Sequence, residues 1–169
     1  ILLKSLESEF AGREENNMDS SCKIAVIVVV YNKSCKESIT CQALKALRHT
    51  KVSVLVYDNS VRDFGNASYC EKQEWIYFSQ GENVGISKAY NVCVDHLKKY
   101  MLADYLCLFD DDTNISEEYF DTLNSAINGY DADIYVPFIF SAGRLLSPCK
   151  IKPNFSVSMF KDEKEALSY

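Results

Sequence analysis

The sequence predicts an α/β protein with a mostly parallel central sheet flanked by helices, and three observations carry that expectation. Ile24 to Val30, IAVIVVV, is an unbroken β-branched run, the pattern of a strand buried on both faces and hence of a parallel sheet. Strand-length apolar runs then alternate with stretches whose apolar residues recur at helical spacing, as in successive units of strand, helix and strand. Four of the runs end in polar clusters: Tyr31 and Asn32, Asp58 and Asn59, Asn83 and Gly85, and Asp110 to Asp112. In an open parallel sheet ligands bind outside the carboxyl ends of the strands, so these clusters are expected to converge.

Taken in order, residues 1–21 are mostly charged and polar and read as an N-terminal extension or linker. The first strand, 24–30, leads into a helix whose start is read from Ser34 and Glu37 as a capping box and whose apolar stripe is Ile39, Ala43, Leu44 and Leu47. Val52 to Tyr57 is the second strand. Val61 to Lys72, with Gly65 and Asn66, reads as a loop long enough to rearrange around a ligand. Glu74 to Ser79 is the third strand, and Ala89, Tyr90, Cys93, Val94 and Leu97 mark a helix from about Ser87 to Tyr100. The fourth strand is Tyr105 to Phe109. Asn114 and Glu117 read as an N-cap pair for a helix carrying Phe120, Leu123 and Ile127 and closed by Gly129. Ile134 to Phe140, interrupted by Pro137, reads as a fifth strand at an edge or bend. Beyond Ser141 the pattern thins to a short strand near Phe155 to Met159 and a helical KDEKEALSY.

At 169 residues, 47% hydrophobic and 25% charged, the chain suits one globular domain that buries roughly 70% of its unfolded surface. A net charge of −6 argues against a general nucleic-acid surface, and Lys33, Lys36, Lys45, Arg48 and Lys51 read as a solvated face. The seven cysteines are odd in number and contain no CxxC pair. Several, including Cys93 and Cys107, sit in apolar stretches where a free thiol acts as a small hydrophobe, which suits a reducing compartment. The longest apolar run falls far short of the ~20 residues that span a bilayer, so no transmembrane segment is expected.

The most informative stretch is Tyr105 to Asn114, YLCLFDDDTN, where a strand-length run ends in three adjacent carboxylates. Adjacent carboxylates repel one another and are costly to desolvate, and a divalent cation removes that cost. Mg²⁺ or Mn²⁺ takes oxygen ligands and commonly shares one or two protein carboxylates with substrate phosphates, which leaves a third Asp for a sugar hydroxyl. The alternative is a solvated acidic turn capping the next helix.

In order and spacing, VIVVVYN (26–32), VYDNS (56–60), ENVGISKAYN (82–91) and FDDDT (109–113) resemble glycosyltransferase family 2 enzymes of the GT-A fold, a Rossmann-like nucleotide-diphospho-sugar transferase architecture. The match runs from about Lys23 to Phe140. Asn83, Gly85, Ala89 and Asn91 look most like rhamnosyltransferase-type members, which often carry Gln where this chain has Asp111. The resemblance implies a nucleotide-sugar-binding domain over 22–140 and, over 141–169, the incomplete start of an acceptor-side region. It implies that Tyr31 and Asn32 border the base, that Asp58, beside Asn59, accepts from the N3–H of uracil or thymine, and that Asn83 and Gly85 line the base and ribose side. Asp110 would face the ribose or assist the metal, Asp111 would reach toward the donor sugar, and Asp112 would coordinate Mg²⁺ or Mn²⁺ on the diphosphate.

The implied reaction is metal-dependent, inverting transfer of a sugar from a UDP- or dTDP-linked donor to a saccharide or lipid-linked saccharide acceptor in bacterial surface polysaccharide synthesis. The implied location is the cytoplasm or the cytoplasmic face of the inner membrane. The general base is expected beyond Tyr169, because Asp162, Glu163 and Glu165 lack the surroundings of one. The chain is therefore expected to be the donor-binding part of a longer enzyme. A non-catalytic nucleotide-sugar-binding module would keep every motif and lack only the base. A haloacid-dehalogenase-type phosphatase fits less well, since it expects Thr or Val where Asn114 stands. An EF-hand loop needs Gly at Ile115 and Glu at Asp121.

Overall fold

The computed structural model describes residues 2–4, 23–100, 103–151 and 157–167. In chain order the elements are β1 (Leu2–Lys4), β2 (Ile24–Val30), α1 (Ile39–Ala46), β3 (Val52–Asp58), α2 (Asn66–Lys72), β4 (Ile76–Ser79), α3 (Ile86–Tyr100), β5 (Tyr105–Asp110) and α4 (Glu117–Gly129). They are followed by β6 (Ile134–Tyr135), β7 (Ile139–Ser141), β8 (Arg144–Ser147), β9 (Cys149–Ile151), β10 (Val157–Met159) and α5 (Glu163–Leu167). The chain divides into two compact units, Leu2–Asp133 and Ile134–Tyr169. In that second unit β7 pairs antiparallel with β8, and β9 with β10. Among the described residues no helix is long and apolar enough to cross a membrane.

The first unit is built on a sheet in which β4, β3, β2 and β5 lie side by side and parallel, with β1 antiparallel to β5. The chain moves outward from β2 through β3 to β4, and α3 then carries it back to β5 on the far side of β2. That reversal of strand order makes the carboxyl ends of β2 and β5 the topological switch point, where open α/β sheets bind ligands.

Burial follows the period-2 alternation of the strands. Ala25, Ile27 and Val29 of β2, with Leu55, Tyr57 and Leu106, form a buried cluster with Ala89, Cys93 and Leu97, which lie four apart on one stripe of α3. Val26, Val28 and Val30 therefore point to the opposite face, and every residue of β2 is buried, as its unbroken apolar run requires. On that face Phe109, in register with Val28, meets the ring of Tyr119 on α4 edge-on at 5.7 Å. The described cysteines Cys35, Cys41, Cys70, Cys93 and Cys107 are free and buried. Burial pushes the Cys93 and Cys107 thiols up to about 12, which keeps them protonated and unreactive.

One polar atom in this core stands out: the Tyr57 hydroxyl is buried with no hydrogen-bond partner among the described residues. An unmade buried hydrogen bond costs about 1–3 kcal/mol. Tyr57→Phe is accordingly expected to raise the thermal midpoint, and a lowered midpoint in a melting experiment would show that the hydroxyl has a partner after all.

The structure corrects several local readings. Ser34 and Glu37 do not open a helix; the Glu37 N–H donates to the Ser34 carbonyl at 2.9 Å in a separate turn, and the N-cap of α1 is Ser38, whose hydroxyl accepts from the Cys41 N–H at 3.1 Å. The expected loop 61–72 contains α2, a short helix held by burial of Asn66, Tyr69 and Cys70 rather than by its own propensity. Ser116, not Asn114, caps α4. Pro137 separates two strands, β6 and β7, in place of one strand over 134–140. Within the extension 1–21, Leu2–Lys4 is a sheet strand, and residues 5–21 lie outside the described residues.

Glu117 is freed by the true cap position for a different task. Its carboxylate accepts from the Thr50 hydroxyl at 2.5 Å and from the backbone N–H groups of Arg48, His49 and Thr50. The Thr50 hydroxyl first, then those N–H groups, hold its pKa down from 4.5 to about 2. A depressed carboxylate stabilises the fold fully above its unfolded value and loses that contribution as pH falls toward the folded value. Glu117→Gln is thus expected to flatten the acid limb of stability between about pH 4.5 and 2 relative to the native chain, read by acid unfolding followed by circular dichroism.

Candidate functional site

At the carboxyl ends of the parallel strands lies an open cleft of about 630 Å³. β2 and the segment after it contribute Val29, Tyr31 and Lys33; the residue after β3 contributes Asn59; the segment between β4 and α3, with the first residue of α3, contributes Asn83, Gly85 and Ile86; β5 and its turn contribute Asp110, Asp111 and Asp112. All four polar strand ends thus meet at the switch point.

The acidic wall is braced from beneath by the start of α1. The Ser38 hydroxyl donates to the Asp111 carbonyl at 2.7 Å, and the Thr40 N–H donates to the same oxygen at 3.3 Å. The Thr40 hydroxyl accepts from the Thr113 N–H at 2.8 Å and lies within donating distance of the Asp110 and Thr113 carbonyls, at 2.5 and 3.0 Å. A hydroxyl has one proton, so it serves one carbonyl at a time. Ser38 and Thr40 are fully buried. Their bonds fix the backbone from Asp110 to Thr113 while the carboxylates stay at the surface: Asp110 and Asp112 are exposed, and Asp111 is half-buried in an ion pair with Lys33, Nζ to Oδ1 2.9 Å.

The opposite wall is held by an amide lattice. Asn59 Nδ2 donates to Asn83 Oδ1 at 2.9 Å, Asn59 Oδ1 accepts from the Val84 N–H at 2.8 Å, and the Gly85 N–H donates to Asn83 Oδ1 at 2.9 Å. Gly85 sits at φ +81 with open space around its missing Cβ, so glycine is required by backbone conformation and not by crowding. Its carbonyl then accepts the Ala89 N–H at 3.1 Å in the first turn of α3. Beside the cleft, burial first and the Asp110 charge second push the Tyr90 hydroxyl up to about 12.

A family model described as glycosyl transferase family 2 matches residues 25–166. The chain belongs to that family. Its parallel sheet with flanking helices is the nucleotide-binding architecture expected of the GT-A fold. Among curated relatives, the family 2 domain is 32% identical over 126 residues to a protein named glycosyltransferase GlyA of Streptococcus pneumoniae serotype 4; the match covers 70% of this chain and 17% of that protein. Among solved structures it is similar to the crystal structure of S. aureus TarS 1–349, with 22% identity, TM-score 0.48 and coverage of 63% of this chain and 32% of that one. A second S. aureus TarS structure matches at 21% identity and TM-score 0.47, with 63% and 19% coverage.

Most residues singled out in the sequence reach the cleft: Tyr31, Asn59, Asn83, Gly85, Asp110, Asp111 and Asp112 all line it. Asp58 and Asn32 do not. Asp58 is 3% exposed, and its carboxylate accepts from the Ser60 N–H at 3.0 Å, Asn66 Nδ2 at 2.8 Å and the Tyr77 hydroxyl at 3.2 Å. Its oxygens accept from internal donors. Burial, then the Asp58 charge, push the Tyr77 hydroxyl up to about 12, so it remains a donor throughout the neutral range. Asn32 takes a left-handed conformation, φ 51, and its N–H donates to the Ser60 hydroxyl at 2.8 Å, which turns the chain after β2 and brings Lys33 to the cleft.

Lys33, Val29 and Ile86 are the lining residues the sequence did not single out as site residues. Lys33 carries a usable signal, a cation just past a strand end that bears a polar cluster, but by composition alone it resembles the solvated lysines that follow it. The buried hub Asn66 was also missed: its Oδ1 accepts the Cys35 N–H at 2.7 Å and its Nδ2 donates to the Lys33 carbonyl at 3.0 Å as well as to Asp58.

Among the described residues no group of three or more His, Cys, Asp or Glu side chains forms a metal cage. Mg²⁺ and Mn²⁺ sites that share substrate phosphates need only one or two protein carboxylates, and the exposed oxygens of Asp110 and Asp112 fit that donor set.

Proposed function

We propose that the cleft binds a nucleoside-diphosphate sugar, UDP- or dTDP-linked, and that the protein of which this domain is part transfers the sugar to a saccharide or lipid-linked saccharide acceptor. The observation that carries this reading is the convergence, at the switch point of a family 2 domain, of an amide-lined wall (Asn59, Asn83, Gly85) and an acidic wall (Asp110, Asp111, Asp112). The amide wall with Tyr31 suits a base and ribose, which need flat contact and neutral hydrogen-bonding groups. The acidic wall suits the diphosphate end, where Asp110 and Asp112 would hold Mg²⁺ or Mn²⁺. When bound, the ion supplies Lewis-acid neutralisation of the leaving diphosphate. In the transfer a bond forms between the acceptor oxygen and the anomeric carbon as the bond from that carbon to the diphosphate oxygen breaks, and the hydroxyl proton must pass to a general base.

No described carboxylate outside the cleft is assigned that base role. Asp162 accepts the Glu165 N–H at 2.9 Å, a side-chain cap on α5, and Glu165 accepts the Lys161 N–H at 2.7 Å. Surface polysaccharide synthesis is the pathway class this reading favours. The free, buried thiols favour a reducing compartment.

The test is a calorimetric panel of UDP, dTDP and GDP with and without Mn²⁺ on the native chain. Cation-dependent binding of UDP or dTDP in preference to GDP is expected. A folded chain that binds none of the three would overturn the donor reading, and preference for GDP would overturn the pyrimidine assignment.

A further inference from the structure

Lys33 is the one cation among the described residues lining the cleft, and it faces three consecutive carboxylates. Its Nζ donates to Asp111 Oδ1 at 2.9 Å. The backbone on both sides of this pair is fixed, by Asn66 on the Lys33 carbonyl at 3.0 Å and by Ser38 on the Asp111 carbonyl at 2.7 Å. What remains free to move is the flexible four-carbon stem of the lysine. The side chains of Lys33 and Asp111 are 33% and 20% exposed, so the pair is partly solvated and its attraction is partly screened by water.

We infer that Lys33 is a positioning residue that changes partner on donor binding, from Asp111 to the diphosphate, and thereby couples donor binding to cation binding. The inference rests on the donor-site reading above. While the ammonium sits on Asp111 it occupies one carboxylate oxygen and opposes, by charge, a divalent ion approaching the neighbouring Asp110 and Asp112. A diphosphate offers the ammonium more negative charge and several acceptor oxygens. Its arrival draws Lys33 away, uncovers Asp111 and removes the repulsion in one movement. By linkage, the factor by which donor tightens cation binding is the factor by which cation tightens donor binding. Without donor the lysine keeps the acidic wall from collecting a cation unproductively.

The test is the affinity for Mn²⁺, followed by the electron paramagnetic resonance of the free ion, in the native chain, Lys33→Met and Lys33→Arg, with UDP affinity measured separately by calorimetry. Lys33→Met is expected to bind Mn²⁺ in the absence of UDP roughly two- to fivefold more tightly, the scale of a partly exposed ion pair. It is also expected to bind UDP in the absence of Mn²⁺ more weakly than the native chain. Lys33→Arg keeps the charge and should stay near native in Mn²⁺ affinity, with thermal midpoints confirming that all three are folded. If the native chain binds UDP with Mn²⁺ but Lys33→Met shows unchanged or weaker donor-free Mn²⁺ affinity, the exchange of partners is overturned and the donor site stands. If the native chain binds no UDP under either condition, the donor site and the exchange fail together.

Discussion

Replacing Asp112 by Ala is expected to weaken cation-dependent binding of UDP by on the order of 100-fold, the upper end of what loss of a metal-supporting group does, with little change in thermal midpoint. The two halves of that expectation have separate causes. The Asp112 side chain is exposed at the cleft, and the local bonds that hold the turn run through the backbone carbonyls of Asp110, Asp111 and Thr113 and the Thr113 N–H to Ser38 and Thr40. Truncating the carboxylate therefore leaves the scaffold intact. Calorimetry of Asp112→Ala beside the native chain reads the effect directly; equal affinity in the two would remove Asp112 from the cation site.

Asn66→Ala is expected to have the opposite profile, a loss of stability that carries the site with it. Asn66 is fully buried and joins the Cys35 N–H, the Lys33 carbonyl and the Asp58 carboxylate. Removing its amide leaves a buried backbone donor unpaired and strips a neutral donor from a carboxylate that is 3% exposed. At about 1–3 kcal/mol for each unsatisfied buried group, the total is about 3 kcal/mol. For a domain of this size that lowers the midpoint by on the order of 10 °C. Asn66→Asp should not rescue it, since a second carboxylate would then face Asp58 in a buried setting. Differential scanning calorimetry of the two variants decides the matter. A midpoint within a degree or two of native for Asn66→Ala would mean that Asp58 and Cys35 find other partners.

The contrast between these two residues shows what could be read in the sequence. The place of Asp112 at the cleft is legible because its signal is local: an apolar run of strand length stops at adjacent carboxylates. The same holds for β2, whose unbroken β-branched run can be accommodated only by a strand covered on both faces. Asn66 was illegible because its role lies in bonds to residues 31 and 33 positions earlier, and a lone Asn after a Gly looks like any turn. The helix that begins there, α2, is only seven residues long and owes its existence to burial of Tyr69 and Cys70, a tertiary effect that propensity does not register.

The inward orientation of the Asp58 side chain is hidden in the sequence for a related reason. Its place at the carboxyl end of β3 was read correctly, but alternation along a strand does not say whether a terminal carboxylate turns outward to ligand or inward to Asn66 and Tyr77. Ser34 and Glu37 formed a turn instead of a helix start because Ser38, four residues on, could both cap α1 and hold the Asp111 carbonyl.

The cleft at the switch point is proposed to hold a nucleoside diphosphate. Its most direct test is the ¹H–¹⁵N spectrum of the labelled chain during titration with UDP in the presence of Mg²⁺. Amide shifts are expected to concentrate at Tyr31 to Lys33, Asn59, Asn83 to Ile86 and Asp110 to Asp112, with the core strands little changed. Shifts centred anywhere else, or a folded chain whose spectrum does not respond at all, would contradict it.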